Sequence, residues 1–193
     1  MATKELCFLC FETLENKLRH SLKDKVYRAV SAKFPSPDSY PMFVTWKNEG
    51  YLRGCKGSFK ALPLIDGLKD RAIDAAFNDG RFSELEEKEL CSTLTCAISL
   101  LHSFEKTSSP LDWEIGVHGI RLFLDGNSST YLPHVAQERK WSKMEALAHL
   151  AKKGGYTKKF DEEALKRSKV ERYQASRESA TWDEYQAYAS SLQ

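Results

Sequence analysis

Residues 42–59, "MFVTWKNEGYLRGCKGSF", constrain the fold of this chain more than any other stretch. Two runs rich in β-forming residues, about 42–47 and 51–59, flank the turn-forming triplet NEG. Strands joined by so short a turn must run antiparallel, so the sequence predicts a β-hairpin here. A second hairpin is predicted in "GVHGIRLFLDGNSSTYL", turning at DGNSS.

Helical periodicity surrounds these hairpins, but long helices do not alternate regularly with buried strands. The pattern favours an α+β fold with a mainly antiparallel sheet flanked by helices. Ser142 with Glu145, and Ser83 with Glu86, match the capping box that begins a helix. Helices are predicted over 5–19, 21–32, 64–77, 143–152 and 161–167, in a short segment that begins at Ser83, and in the C-terminal tail. Strands are predicted in "CSTLTCAISLLHSF" and over 168–175.

The segment "PSPDSYP" at 35–41 contains three prolines in seven residues and predicts a linker. The chain has 193 residues, which suits one sizeable domain over 1–193, built as one body or as two sub-lobes.

Charge and hydropathy limit the classes of partner. The 29 basic residues nearly balance the 27 acidic ones, so the net charge of +2 gives no electrostatic reason to expect nucleic acid or an anionic membrane. No apolar run approaches the roughly 18 residues that span a membrane, and the N-terminus does not resemble a signal peptide. We expect a soluble intracellular protein, cytoplasmic or nuclear, with its five cysteines reduced.

Arg53 and Cys55 form the first candidate site. Two residues apart on a strand, they should share a face, and a cation near a thiol favours the nucleophilic thiolate. Gly54 and Gly57 should leave room for a ligand, and His118 in "GVHGI" is the first candidate for a base. The alternative is structural: Cys55 packs as a small apolar residue while Arg53 pairs with a carboxylate.

Two further features allow a functional and a structural interpretation. In "NDGRF", Asp79 would shape a turn and Arg81 would either present an anion-binding fork or remain solvated. Cys7 and Cys10 form a C-x-x-C pair, but they share a helical apolar stripe with Leu14, which favours core packing over a zinc or redox role. No nucleotide-binding loop or metal-ligand spacing is present, so the sequence indicates no metal and no cofactor.

"LRGCKG" at 52–57 resembles the L-R-G-C-I-G signature of the AMME-chromosomal-region (AMMECR) domain family. The resemblance covers nearly the whole chain, and the "CFLCFETL" start resembles that of eukaryotic members. Further matching segments stand in the family's order: FVTWK, AAFNDGRF, AISLL, LDWEIGVHGIRL, YLPHVA and KGGY. Two residues depart from the family pattern. Lys56 replaces the usual isoleucine and should point away from Arg53 and Cys55, and His134 stands where an acidic or amide residue is frequent.

The resemblance implies two α+β lobes, a larger one built from both chain ends and a smaller inserted one, with the signature near a cleft between them. The family has no generally established reaction. Prokaryotic members often lie beside a Memo-like protein, with a radical-SAM protein nearby, and a nuclear or scaffold-like role has been discussed in animals. The residues that match family segments are Arg53, Gly54, Cys55, Gly57, Asp79, Arg81 and His118.

Two functions from different classes follow. In the first, the cleft binds a small anionic ligand or substrate: Cys55 is nucleophile or ligand, Arg53 and Arg81 hold the anion, and His118 is acid or base. In the second, the domain is a non-catalytic module that docks a protein or small molecule, with a Memo-like protein as the partner that the family association suggests.

Overall fold

The computed structural model describes residues 1–35 and 38–192. The chain divides into two compact units: unit 1 comprises Met1–Leu100 and Ser176–Gln193, and unit 2 comprises Leu101–Ala175. This division matches the expected larger lobe built from both chain ends and the smaller inserted lobe.

Unit 1 contains the first predicted hairpin. Strand β1 (Ser39–Asn48) pairs antiparallel with β2 (Tyr51–Pro63), and Thr45 lies opposite Cys55. On its other side β1 pairs antiparallel with β3 (Leu94–Lys106). The hairpin prediction is therefore confirmed, and Cys55 lies on the second strand as expected.

Four helices of unit 1 bury their apolar faces in one core with these strands: α1 (Lys4–Arg19), α2 (Lys25–Lys33), α3 (Leu64–Phe77) and α7 (Trp182–Ser191). Trp46 of β1 is fully buried, contacts the Phe11 ring edge-on and donates its indole N–H to the carbonyl of Ala72 at 2.9 Å. A buried aromatic side chain of this size typically contributes about 2–3 kcal/mol, so β1 is firmly held between α1 and α3.

Unit 2 contains the second predicted hairpin. Strand β4 (Gly119–Leu124) pairs antiparallel with β5 (Asn127–Tyr131) and with β6 (Lys169–Thr181). The turn falls at Asp125 and Gly126, with φ values of 48° and 82°, the left-handed pair that a two-residue hairpin turn needs. Three helices complete the unit: α4 (Pro133–Glu138), α5 (Lys143–Lys153) and α6 (Glu162–Arg167).

The α+β class with an antiparallel sheet is confirmed. The six strands follow the order β2-β1-β3-β6-β4-β5, and two of them, β3 and β6, contribute residues to both units. The Ser142–Glu145 capping box begins α5 as predicted. Among the described residues, no helix combines the length and apolar character needed to cross a membrane.

Two local predictions are wrong, and one helix was not predicted. The helix predicted to start at Ser21 begins at Lys25 with Asp24 at its N-cap, and α4 was not expected from the sequence. The short helix predicted from Ser83 and Glu86 is replaced by the 3-10 turn Glu87–Glu89, whose capping box is formed by Glu86 and Glu89. The reason is that the carbonyls of residues 83 and 84 bind an arginine side chain instead of continuing a helix.

The linker predicted at 35–41 is shorter than expected. Residues 36 and 37 lie outside the described part of the chain, and β1 already begins at Ser39. The ladder shifts register between Tyr40 and Met42, on either side of Pro41. A proline cannot donate to the ladder, so it is accommodated at this irregularity rather than ending the strand.

Candidate functional site

The site begins with a β-bulge in the signature strand. Trp46 pairs with Gly54, but its neighbour Lys47 pairs with Leu52, so Arg53 has no partner on β1. Side chains no longer alternate strictly between the two faces across a bulge. The spacing of two residues therefore no longer implies that Arg53 and Cys55 share a face. Beyond the bulge the register is regular, and Lys56, adjacent to Cys55, points to the opposite face as predicted.

Cys55 is half-buried and held at both its backbone and its side chain. Its sulfur accepts a hydrogen bond from the Thr45 hydroxyl across the ladder at 3.2 Å. Its backbone N–H donates to Asp79 Oδ2 at 2.9 Å. These contacts fix Cys55 from two sides, with Thr45 on β1 and Asp79 in the loop after α3.

Asp79 joins the cysteine to an arginine. The Arg81 guanidinium donates from Nε to Oδ1 at 2.9 Å and from Nη2 to Oδ2 at 2.7 Å. The hydrogen bond from Arg81 holds the pKa of Asp79 well below its ordinary value, with the backbone N–H groups of Cys55 and Arg81 adding to the effect. Asp79 is only 7% exposed, so this ionised carboxylate fixes the Arg81 side chain beside the strand.

Arg81 is connected to Cys55 through Asp79. Its pKa is raised first by the hydrogen bond to Asp79 and also by electrostatic attraction to Cys55. The Arg81 side chain is 59% exposed, although two of its nitrogens hold Asp79. The cation that Asp79 connects to Cys55 comes from the loop after α3 rather than from the signature strand, and pairing of a cation with the Cys55 thiol stays a prediction.

Arg53 instead anchors a loop. Its Nε and Nη2 bind both oxygens of Glu89 at 2.7 and 2.9 Å, and Nη1 and Nη2 bind the carbonyls of Ser83 and Glu84 at 2.7 and 2.9 Å. Both charged side chains are 16% exposed. Although burial raises the pKa of Glu89, the bonds from Arg53 and from the Glu86 backbone bring it below its ordinary value. These contacts agree with the structural alternative for Arg53, and its ligand-binding role stays a prediction.

The signature glycines allow close packing by the protein itself. A Cβ on Gly54 would lie 1.9 Å from the carbonyl oxygen of Ala75 in α3. A Cβ on Gly57 would lie 2.2 Å from the Phe43 ring. The space beside each glycine that the sequence analysis reserves for a ligand is thus filled by α3 and by Phe43, and ligand binding by either glycine stays a prediction.

Cys91 provides a natural comparison for Cys55. It too is half-buried with a threonine hydroxyl, that of Thr93, at 3.2 Å. However, Thr93 donates its one proton to Asn48 Oδ1 at 2.5 Å, so the Cys91 S–H must be the donor to Thr93. The two sulfurs therefore differ in role, because Cys55 accepts from its threonine whereas Cys91 donates to its own.

The remaining thiols are buried. Cys7, Cys10 and Cys96 lie in the core of unit 1, with Cys7 and Cys10 on α1 as the apolar stripe predicts. Burial raises the pKa of the Cys96 thiol well above its ordinary value, and the adjacent Cys10 and Cys7 add to this. Over residues 1–35 and 38–192, no group of three or more His, Cys, Asp or Glu side chains is arranged to hold a metal ion.

His118 lies in unit 2, just before β4. Its Nδ1 accepts the backbone N–H of Glu114 at 3.1 Å, and its own backbone N–H donates to the Glu114 carbonyl at 2.9 Å. With Nδ1 accepting, a neutral ring carries its proton on Nε2. Because Cys55 belongs to unit 1, the convergence of these two residues stays a prediction.

Thr45 is the functional residue that sequence reasoning missed. Its place beside Cys55 depends on the register of the hairpin. The two glycines of the signature strand suggest a bulge but do not fix its position, so the sequence leaves the register open by at least one residue. Counting back from the NEG turn without the bulge would place a different residue opposite Cys55.

Comparisons of the sequence and of the structure with known proteins agree with each other. The sequence model of the AMMECR1 family matches residues 7–178. An uncharacterized protein of Arabidopsis thaliana is 36% identical over 97% of this chain and 89% of its own length, and one of Schizosaccharomyces pombe is 41% identical over 81% and 82%. The crystal structure of an uncharacterized protein of Pyrococcus horikoshii is similar in fold, with a TM-score of 0.70 over 90% of this chain and 89% of that one at 23% identity.

Proposed function

The chain belongs to the AMMECR1 family, and from the geometry of its signature strand we propose that unit 1 binds a small anionic molecule at Arg81, beside a reactive thiol at Cys55. The observation that carries the proposal is the direction of the hydrogen bond at sulfur. Thr45 donates to Cys55, so the site is arranged to stabilise negative charge on that sulfur.

Arg81 supplies the anion-binding group. Asp79 occupies Nε and Nη2 and so orients the guanidinium, and none of the hydrogen bonds among the described residues uses Nη1. Since Asp79 neutralises part of the positive charge, recognition depends mainly on the fixed geometry of the remaining donors. A carboxylate or phosphate bound there would lie next to the sulfur.

A transfer reaction at Cys55 also needs an acceptor for the thiol proton. Asp79 is a poor base, because Arg81 holds its pKa well below the ordinary range. The residue that the family resemblance suggests for this role is His118. With Nδ1 occupied by the Glu114 N–H and the ring proton on Nε2, His118 can donate a proton but not accept one, so we propose it as the acid of such a reaction and not as the base.

The hairpin end supports a second function, that of a protein-docking module. Tyr51 is 78% exposed and Leu52 is 40% exposed at the start of β2, which lies at the edge of the sheet. Exposed aromatic side chains are enriched in interfaces, and the family association makes a Memo-like protein the first partner to test. This function requires no reactivity at Cys55, so the two proposals are distinguishable.

We expect iodoacetamide at neutral pH to alkylate Cys55 about tenfold faster than Cys91, because a hydrogen bond to a charged group is worth about 1.5 kcal/mol or more. The rates are read from the two cysteine peptides by mass spectrometry. Thr45→Val should slow the alkylation of Cys55 several-fold and leave the alkylation rate of Cys91 unchanged. Thr93→Val is the matched control, because it removes the threonine hydroxyl beside Cys91 instead.

Equal labelling of Cys55 and Cys91 in the folded protein would contradict the reactive-thiol proposal and favour the docking module. A Thr45→Val variant that reacts as fast as the unmodified protein would show that the hydroxyl does not activate the sulfur.

A further inference from the structure

Unit 2 contains a cavity that the proposed site does not use. Its volume is about 580 Å³, within the range of roughly 300–1,000 Å³ typical of small-molecule sites. The lining comes from three segments of unit 2: residues 106–110 at the end of β3 and just after it, Phe123 on β4, and residues 168–171, which join α6 to β6.

One side of the cavity is apolar. Pro110, Phe123 and Val170 contribute to its lining, and Phe123 is 36% exposed although it stands on a strand between two neighbours. An aromatic ring left open to a cavity is a surface on which a flat apolar ligand can stack.

The loop that forms the rim is fixed in place. Thr107 donates twice to the Val170 carbonyl, from its backbone N–H at 3.1 Å and from its hydroxyl at 2.9 Å. The Trp113 indole N–H donates to the Pro110 carbonyl at 3.1 Å, and Asp112 N–H to the carbonyl of Ser109 at 2.9 Å. Because these bonds already order the loop, a ligand would lose little affinity to the cost of ordering it.

The rim is positively charged. Lys106 and Lys169 line the cavity, and neither forms an ion pair with any described residue. Two nearby acids are not available to them, because Arg172 binds the Glu105 carboxylate at 2.8 Å and that of Asp112 at 3.0 Å.

Glu171 is the one acid in the lining, and a basic residue faces it across the ladder. Arg121 on β4 lies directly opposite Glu171 on β6. The Arg121 guanidinium lies 4.8 Å from the centre of the Phe123 ring. A cross-strand arginine offsets part of the negative charge of Glu171. The two lysines therefore leave the cavity with a net positive potential.

A hydroxyl is available beside these charges. Ser109 Oγ accepts the backbone N–H of Leu111 at 3.4 Å, which leaves its own O–H free to donate to a ligand. Apolar wall, cationic rim and hydroxyl donor together fit a molecule with a flat apolar body and an anionic end.

We propose that this cavity binds a small aromatic anion, with its ring against Phe123 and Pro110 and its carboxylate, sulfonate or phosphate held by Lys106 and Lys169. No residue of this site belongs to the Cys55–Arg81 site, so the two proposals stand or fall separately.

The probe is 2-naphthoate, titrated into the whole protein by isothermal calorimetry, with ¹H–¹⁵N spectra to locate the perturbed amides. We expect saturable binding, with shifts concentrated at 106–110 and 168–171. The double variant Lys106→Met/Lys169→Met should weaken binding about tenfold, since each partly exposed ion pair contributes a few-fold. Glu171→Gln should tighten it about threefold by removing an opposing charge.

Lys152→Met is the matched control, because Lys152 is an exposed lysine of unit 2 at the end of α5, outside the cavity. The affinity of this variant for 2-naphthoate should equal that of the unmodified protein. The neutral 2-naphthalenemethanol should bind at least about tenfold more weakly than 2-naphthoate if the lysines recognise the anion. Undiminished binding to the double lysine variant, equal binding of the neutral compound, or no saturable binding of 2-naphthoate would each overturn the proposal.

Discussion

Gly54→Ala is expected to lower the free energy of unfolding by about 3 kcal/mol, the upper part of the range for overpacking a closed core. The new Cβ would stand 1.9 Å from the carbonyl oxygen and 3.0 Å from the carbonyl carbon of Ala75. That carbonyl is part of the backbone of α3 and cannot rotate away as a side chain would. Strand β2 would have to move instead, although the bond from the Cys55 N–H to Asp79 holds it in place.

Gly80→Ala is the matched control for this substitution. Gly80 lies in the loop that follows α3, and a Cβ there would meet no described atom within 4 Å. We expect a change below about 0.5 kcal/mol in urea-induced unfolding, as for most exposed positions. Equal stabilities of the two variants would mean that β2 and α3 are not in the close contact described here.

Arg53→Ala should also destabilise the protein by about 3 kcal/mol, because removing one member of a largely buried ion pair leaves the other without compensation. Glu89 and the carbonyls of Ser83 and Glu84 would all lose their donors. Arg53→Lys should recover only part of the loss, since an ammonium cannot reproduce the planar fork that binds these groups.

The control for this loss is Arg28→Ala. Arg28 pairs with Asp24 within one helical stretch, its side chain is 76% exposed, and such pairs contribute at most about 0.5 kcal/mol. Thermal and urea unfolding of the three variants measure the difference. An Arg53→Ala protein as stable as Arg28→Ala would indicate that Arg53 is free to bind a ligand, as the sequence analysis first proposed.

Local patterns predicted the elements of this fold well. The stripe over 64–77 gave the bounds of α3, and the NEG and DGNSS turns gave both hairpins, because turn chemistry and apolar periodicity act over a few residues. The helix expected after Ser83 failed for the opposite reason. Its carbonyls bind an arginine some 30 residues earlier in the chain, and no local pattern records that contact.

Part of the candidate site was predictable from the sequence, but Thr45 and the hydrogen bonds that connect the site were not. Cys55, Asp79 and Arg81 were all identified from motifs, and the structure connects them through the bonds of Asp79 to the other two. Arg53, chosen as the activating cation because of strand alternation, belongs to a bulge and binds Glu89. A bulge shifts the register of this hairpin by one residue, and the glycines that suggest a bulge do not show that it falls at Arg53.

The most direct measurement of the central claim is the ratio of alkylation rates with iodoacetate and iodoacetamide at each cysteine. The two reagents differ in charge, so the ratio reports an anion-binding group near the sulfur, with Cys91 as the internal control. We expect the ratio at Cys55 to exceed that at Cys91 by about fivefold, as one partly exposed charge pair of about 1 kcal/mol allows. Arg81→Gln should lower the rate ratio at Cys55 below the ratio at Cys91, because the Asp79 carboxylate would then repel iodoacetate. Arg81→Lys should give an intermediate ratio at Cys55. Equal ratios at the two cysteines, or a ratio at Cys55 that Arg81→Gln leaves unchanged, would contradict an anion site at Arg81.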